Sequence, residues 1–480
     1  MAATSTIPTG LLIDGAWRPA AGGTEIQVLD PATGEPIGAV ADATVGDARA
    51  AVDAAAAAAP AWAATPPRER AEILRRGFEL MRAREEEIAA TITAEMGKPL
   101  AEARGEAAYA AEFLRWFAEE AVRAEGEYAI APSGAARVLV LPQPVGISVL
   151  VTPWNFPAAM ATRKLGPALA AGCTAIVKPA TETPLTSLLI ASMLEEAGAP
   201  PGVIGVLTTS CPGEVVAEMV EDPRVRKLSF TGSTEVGRRL LALAARSVVN
   251  VSMELGGNAP FLVLEDADVD AAVAGALAAK LRNGGEACTA ANRFLVHESV
   301  AEAFTDGLTA AMAAVRMAPG AEAGAELGPM INEAAVAKIE ALVADACGRG
   351  ARVRTGGARA DGPGWFYPAT VLDRVTPGSA ILREEVFGPV APVLTFSDEG
   401  EAIAAANDTE HGLVAYVFSR DLRRAMRVGE AIETGMVGLN RGVVSDPAAP
   451  FGGVKQSGIG REGGHHGLRE FLEPKYFSFG

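Results

Sequence analysis

Cys288 stands in the stretch LRNGGEACTAANR, residues 281–293, just after a pair of glycines and with no histidine near it. A thiol in that setting works as a nucleophile only if something other than an imidazole activates it. Four other stretches carry residues suited to work beside it, each at the end of an apolar run. Asn155 in TPWNFP precedes Pro157, which is suited to open a helix, so its amide would be a free donor at a strand-to-helix turn; asparagine in a turn is also ordinary turn chemistry. Lys178 in VKPATETP leaves a buried strand, where an unpaired charge is costly unless an anionic or hydroxyl-rich ligand meets it. A salt bridge is the plainer reading. Gly232 and Ser233 in FTGSTEVG would aim backbone and hydroxyl donors at a phosphate near a helix N-terminus. Glu254 in MELGG ends a strand beside two glycines, and flexible backbone next to a carboxylate suits a movable base. An ordinary strand-end glutamate is the commoner case.

Residues so far apart in the chain meet only if their strands are neighbours. Between 147 and 254 short apolar runs, ISVLV, TAIVK, VIGVL, KLSFTG and VVNVSMEL, alternate with helical segments such as TPLTSLLIASMLEEAG. That alternation is the signature of a parallel, doubly wound, Rossmann-like α/β sheet. Ligands of such sheets sit at the carboxyl ends of the strands, where the residues above lie. After Gly257 the alternation restarts with APFLVL, RFLVH, PVLTF, GLVAYVF and GMVGLN, which gives a second α/β domain. From about 50 to 125 the sequence is Ala-rich with charges at helical spacing, as in amphipathic helices. The stretches EYAIAPSGAARVLVLPQP and EFLEPKYFSFG belong to neither sheet, and such strands often add to another subunit's sheet edge.

The chain has 480 residues, 49% of them hydrophobic, enough for two or three cored domains without metals or disulfides. Its net charge of −17 is spread over short segments, which argues against nucleic acid or an anionic membrane as a partner. Cys173, Cys211, Cys288 and Cys347 lie far apart with no CxxC pair, so neither a disulfide framework nor a metal site is expected, and a reducing compartment is. The start, MAATSTIPTGLLIDGAW, lacks the features of a signal or transit peptide, and a cytoplasmic location is expected. The uncharged stretch Val138 to Thr162 contains four prolines, so it reads as strands and a turn and not as a membrane span.

The order PWNFP, KPA, FTGST, MELGG, NGGEAC, EEVFGPV, PFGGVKQSGIGRE resembles the aldehyde dehydrogenase superfamily, from the early LIDGAW to the terminal EPKY. The resemblance implies a nicotinamide cofactor domain at 1–125 and 145–255, a catalytic domain at 256–435, and a small bridging β segment for oligomerisation at 126–144 and 466–480. It also implies roles. Cys288 would attack the aldehyde carbonyl, and Asn155, with the Cys288 backbone amide, would hold the oxyanion. Glu254 would activate the water that hydrolyses the resulting thioester. Lys178 and Glu385 would hold the cofactor riboses, Phe387 would pack near the nicotinamide, and Trp154 and Ser233 would help seat adenine and phosphate. Lys164 would be an active-site helper.

Within the superfamily, TPWNFPAAMATRK, KLSFTGSTEVGR, ELGGNAPF, AKLRN and GVKQSGIGREGG are similar to the succinate-semialdehyde dehydrogenases. On that resemblance Arg163 and Arg282, with Ser445, would bind the far carboxylate of a four-carbon semialdehyde, a task suited to the bidentate fork of guanidinium. Ion pairs on helix surfaces are the alternative for both arginines. Thr181 stands where NAD-preferring members often carry glutamate, so NADP is expected to be preferred and NAD accepted, although Glu182 is next door. Three positions depart from the family. Glu286 replaces glutamine and could oppose thiolate formation unless it points away; Ala290 replaces a second cysteine and leaves no local redox switch; Arg441 in the substrate-side loop could reinforce acid recognition or widen it to glutarate semialdehyde. The implied assembly is a homodimer or tetramer. The alternatives are an enzyme for broader aromatic or aliphatic aldehydes, a coenzyme A-acylating enzyme, and an inactive binding protein on the same fold.

Overall fold

The computed structural model describes residues 7–480. The expectation about a leader rests partly on residues 1–6, which lie outside the described residues. Among those described, no helix is long and apolar enough to cross a membrane. Residues 138–162 instead run through the strands Arg137–Pro144 and Ile147–Val151 and enter the helix Pro157–Ala171.

Two sheets dominate an α/β architecture. The first has eight strands in the order Ala16–Arg18, Leu11–Ile13, Ile204–Val206, Ala175–Lys178, Ile147–Val151, Val225–Thr231, Asn250–Glu254, Gly458–Ile459. Its five inner strands are parallel, and the outer pairs are antiparallel. Chain order runs outward in opposite directions from Ile147–Val151, so the switch point lies between that strand and Val225–Thr231. At such a point the two following connections diverge to opposite faces and leave a crevice at the carboxyl ends. Every residue of Ile147–Val151 and of Ala175–Lys178 is buried, which fits a sheet covered on both faces.

The second sheet runs Arg352–Thr355, Thr370–Asp373, Val390–Phe396, Ala291–His297, Ala259–Val263, Val414–Phe418, Met436–Leu439, parallel except for its first strand. It extends past residue 435, and the first sheet borrows Gly458–Ile459 from a region assigned to neither domain. A two-residue strand has no periodicity to reveal it. Gly458 makes that pairing sterically feasible, because a side chain there would strike the Met253 carbonyl. The two leftover stretches form a third sheet, with Leu472–Phe479 beside Arg137–Pro144 and Arg137–Pro144 beside Glu127–Ile130, all antiparallel.

The Ala-rich region folds as the helices Val45–Ala64, Pro67–Ala83, Glu85–Met96 and Leu100–Glu120. Leu100–Glu120 packs on Pro157–Ala171, every residue of which is buried. Pro157 opens that helix, and Glu106 caps it by accepting from the N–H groups of Ala158 (2.9 Å) and Ala159 (3.2 Å).

Candidate active site

The carboxyl ends of the first sheet face the amino ends of strands in the second. Cys288 comes just before Ala291–His297, and Glu385 and Phe387 just before Val390–Phe396. Local backbone explains the glycines around the thiol. Asn283, Gly284 and Gly285 all have left-handed φ (55°, 62° and 79°), which asparagine and glycine adopt most easily. A side chain on Gly285 would also meet the Gly388 carbonyl. The glycines after Glu254 have a different task from the flexibility expected of them. Neither has a positive φ; a Cβ on Gly256 would stand 3.0 Å from a Glu385 carboxylate oxygen, and one on Gly257 2.6 Å from the Cys288 carbonyl. They permit close approach of three segments.

These segments enclose a cavity of about 340 Å³. Its wall carries Trp154, Asn155, Arg163, Gly232, Ser233, Glu254, Arg282, Cys288, Glu385, Phe387 and Ser445. Lys178, Thr181 and Lys164 lie off it. Lys178 is buried at the same carboxyl edge with no ion pair among the described residues, and burial pulls its pKa down to about 8 against the pull of Glu182. Thr181 faces a smaller neighbouring cavity and donates its hydroxyl proton to the Thr209 carbonyl at 3.0 Å. The Lys164 ammonium is tied to Glu462 and, at 2.9 Å, to Ser229, and its charge pulls the Glu254 pKa down against burial.

The Cys288 thiol is pushed up to about 12 by burial first and then by the Glu385 carboxylate, while Arg163 and Arg282 pull it down. It rests protonated and needs a base. Glu254 can be that base: both its oxygens are buried with no hydrogen-bond partner among the described residues, and burial, with the nearby Glu462 carboxylate, holds its pKa far above the usual carboxylate range. Gly452 lets the PFGG backbone roof this carboxylate, since a Cβ there would lie 2.8 Å from Glu254 Oε1.

Asn155 is less free than its position in a turn suggested. One N–H of its amide donates to the Glu286 carbonyl at 3.0 Å, which leaves the other for a ligand. The Gly232 amide is likewise used, donating to the Glu254 carbonyl at 3.1 Å, so only Ser233 and the helix Thr234–Ala245 that it caps offer donors at that turn. Glu286 points away from the thiol. Its Oε1 accepts from the Ile331 N–H at 3.0 Å, and burial raises its pKa to about 8. Arg441 is exposed and off the cavity wall.

Neither arginine forms a surface ion pair, but Arg163 Nη1 has a buried one with Glu462 Oε2 at 3.7 Å. Arg163 is 2% exposed, its Nη2 donates to the Tyr109 hydroxyl at 2.7 Å, and its Nε has no partner among the described residues. Arg282 donates to Ser445 Oγ at 3.3 Å. Both guanidiniums lie over the Tyr109 ring, at 5.8 and 6.0 Å, and Arg163 also stacks on Phe451 at 4.2 Å. Tyr109, Phe451 and the buried Lys98–Glu106 pair, whose lysine also donates to the Asn155 carbonyl at 2.7 Å, were not read as site residues. Glu106 sits in an ordinary amphipathic helical pattern and Lys98 in the Gly-Lys-Pro link before it, and nothing in either marks them.

The residues fit a nicotinamide dinucleotide: an unpaired cation at a strand end, a helix N-terminus with a serine cap, and Glu385, one oxygen of which accepts from the Gly257 N–H at 3.1 Å. An α/β enzyme with its reactive groups gathered at a switch-point crevice is the class that fold and site define together. The chain belongs to the aldehyde dehydrogenase family, which matches residues 17–477, and is an NAD(P)-dependent aldehyde dehydrogenase. It is 57% identical over 437 residues to a succinate-semialdehyde dehydrogenase of Paenarthrobacter nicotinovorans, covering 91% of this chain and 97% of that one. It is 50% identical over 468 residues to a glutarate-semialdehyde dehydrogenase of Pseudomonas aeruginosa, covering 98% and 97%. The crystal structure of an NADP-dependent enzyme from E. coli superposes with a TM-score of 0.97 at 49% identity, covering 99% and 98%.

Proposed function

We propose that this enzyme oxidises succinate semialdehyde to succinate, with NADP+ preferred and NAD+ accepted. The observation that carries the substrate is the pair of guanidiniums, the buried Arg163 and the half-buried Arg282, on the wall of the cavity that holds Cys288. With Ser445 they would bind the far carboxylate and leave the aldehyde carbon at the sulfur. Glu254 takes the thiol proton, the thiolate adds to the carbonyl, and the oxyanion is held by the second N–H of Asn155 and the Cys288 amide. The nicotinamide, when bound, supplies the hydride acceptor that turns the adduct into a thioester. Glu254 passes the thiol proton to solvent and then deprotonates water, the new C–O bond forms as the C–S bond breaks, and the proton taken from water goes to sulfur.

The remaining cofactor contacts follow the same edge: Lys178 and Glu385 hold the riboses, Trp154 and Ser233 seat adenine and phosphate, and Phe387, 5.4 Å from Trp154 and edge-on to it, flanks the nicotinamide. Thr181 presents no carboxylate to a 2′-phosphate, which supports NADP, as does likeness to the E. coli NADP-dependent enzyme. The eight-stranded unit is the cofactor domain and the seven-stranded unit the catalytic domain. The three-stranded sheet joins subunits of a dimer or tetramer in the cytoplasm. A second reading, glutarate semialdehyde, is supported by the Pseudomonas aeruginosa relative.

The test is initial rates with NADP+ and NAD+ over succinate semialdehyde, glutarate semialdehyde, butanal and benzaldehyde. Arg282→Ala is expected to raise the KM for succinate semialdehyde by a factor of about 30 or more, the equivalent of losing about 2 kcal/mol of a desolvated charge pairing, with little change for benzaldehyde. Equal loss for both substrates would refute the carboxylate role.

A further inference from the structure

The structure assigns Glu470 a positioning role: with Lys227 it fastens the loop that roofs the Glu254 carboxylate to the strand that carries Glu254. This rests on the reading of Glu254 as the base for thioester hydrolysis. Glu470 closes the short helix Gly464–Arg469 and precedes the strand Leu472–Phe479. Its two oxygens reach in two directions. Oε2 accepts from Ser252 Oγ at 2.7 Å and from Lys227 Nζ at 3.4 Å, and Ser252 lies two residues before Glu254 on Asn250–Glu254. Oε1 accepts from the Arg461 backbone N–H at 3.2 Å. Close approach of Gly460 allows this, since a Cβ there would stand 2.9 Å from the Glu470 carboxylate.

Arg461 belongs to the roof. Its Nη1 donates to the carbonyls of Gly453 (2.8 Å) and Gly460 (2.7 Å). A Cβ on Gly452 would meet both Arg461 Cδ and Glu254 Oε1 at 2.8 Å. The same loop contributes Gly458–Ile459, paired edge to edge with Met253 and Glu254. Lys227 completes the junction from below. It is fully buried, donates to Asn250 Oδ1 at 2.7 Å and to Ser252, and its ammonium lies 5.5 Å from the Phe471 ring.

The arrangement explains a buried cation and a half-buried acid with no contact to the cavity. Glu254 has no hydrogen bond of its own among the described residues to fix its oxygens, so its position depends on the backbone on either side. Glu470 joins those two sides. Releasing it lets the roof shift relative to the strand, which misplaces the base for water while the thiol and the cofactor edge keep their own supports.

The experiment compares the full-length enzyme with Glu470→Ala and with Lys227→Met/Glu470→Leu, which removes both charges, keeps the packing volume and so guards against an unfolded single variant. Stopped-flow formation of reduced cofactor reads hydride transfer, and acid quenching followed by intact mass reads the fraction of chain held as the Cys288 thioester. In both variants the hydrolysis-limited rate is expected to fall about tenfold, since sub-ångström misplacement of a reacting group carries losses of that order. The thioester fraction should rise, because the first turnover, in which Glu254 only receives the thiol proton, falls less than hydrolysis, in which it must also orient a water, so that kcat falls further than kcat/KM. A normal hydrolysis rate in the double variant overturns the role, and so does a parallel fall in first turnover and hydrolysis, which marks general loosening. Glu254→Gln separates the two readings: thioester hydrolysis at the wild-type rate in that variant refutes Glu254 as the base, whereas blocked hydrolysis there with normal hydrolysis in the Glu470 variants refutes only the fastening.

Discussion

At the scale of single residues, the site works by leaving charges unpaired. Glu254 and Lys178 would each be neutralised by a neighbour in an ordinary core; here burial shifts both toward their neutral forms, which is where groups that exchange protons or meet charged ligands are found. Glu286 shows the same physics without the chemistry. Its carboxyl is held at about 8, against about 4.3 for an unfolded glutamate. The folded state therefore keeps a proton that the unfolded state has released, and stability from this group falls as pH rises from about 4.3 to about 8. Glutamine keeps the acceptor for the Ile331 N–H and carries no charge. Glu286→Gln is thus expected to melt close to wild type at pH 4.5 and at a higher temperature than wild type at pH 8.5. A melting difference that does not change with pH would refute the assignment of a buried neutral acid.

At the scale of elements, left-handed backbone separates functional strain from incidental strain. The run Asn283–Gly285 and Phe387 adopt it where the two halves of the cavity meet, and close contacts over-determine them. Val248 adopts it (φ 53°) in the exposed turn between Thr234–Ala245 and Asn250–Glu254, with 86% of its surface in solvent. A β-branched residue there gains no packing to offset the conformation. Val248→Asn should stabilise the protein by about 1 kcal/mol, seen as a higher denaturant midpoint with unchanged turnover. An unchanged or lower midpoint would show that the turn carries no such strain.

At the scale of the whole molecule, the third sheet is the one that presents apolar side chains to solvent along both its outer strands: Tyr128 and Ile130 on one, Tyr476, Phe477 and Phe479 on the other, with Leu141 between. Unpaired strand edges bearing such residues are covered in stable proteins. Tyr476→Asp combined with Phe479→Asp is expected to lower the mass in solution by light scattering, from a dimer or tetramer toward the monomer. The wild-type mass in that variant, or a monomeric wild type, would remove this sheet from the proposed subunit contact.

The sequence alone determined the fold class, because the alternation of apolar runs and helical segments is a local pattern set by burial on both faces of a parallel sheet. It also marked the stretches that carry the site, since Asn155 and Glu254 each stand where a run stops and Cys288 follows a pair of glycines. It did not reveal Tyr109, Phe451 or Glu470, which sit in ordinary helical and loop patterns and gain their meaning only from residues far along the chain. Nor did it reveal how the donors are shared out: Gly232 spends its N–H on the Glu254 carbonyl, and Glu286 turns toward Ile331. Tertiary structure decided these points because a hydrogen bond or a buried charge depends on partners that sequence spacing does not bring together; only the packing of one sheet's carboxyl ends against the other's amino ends does.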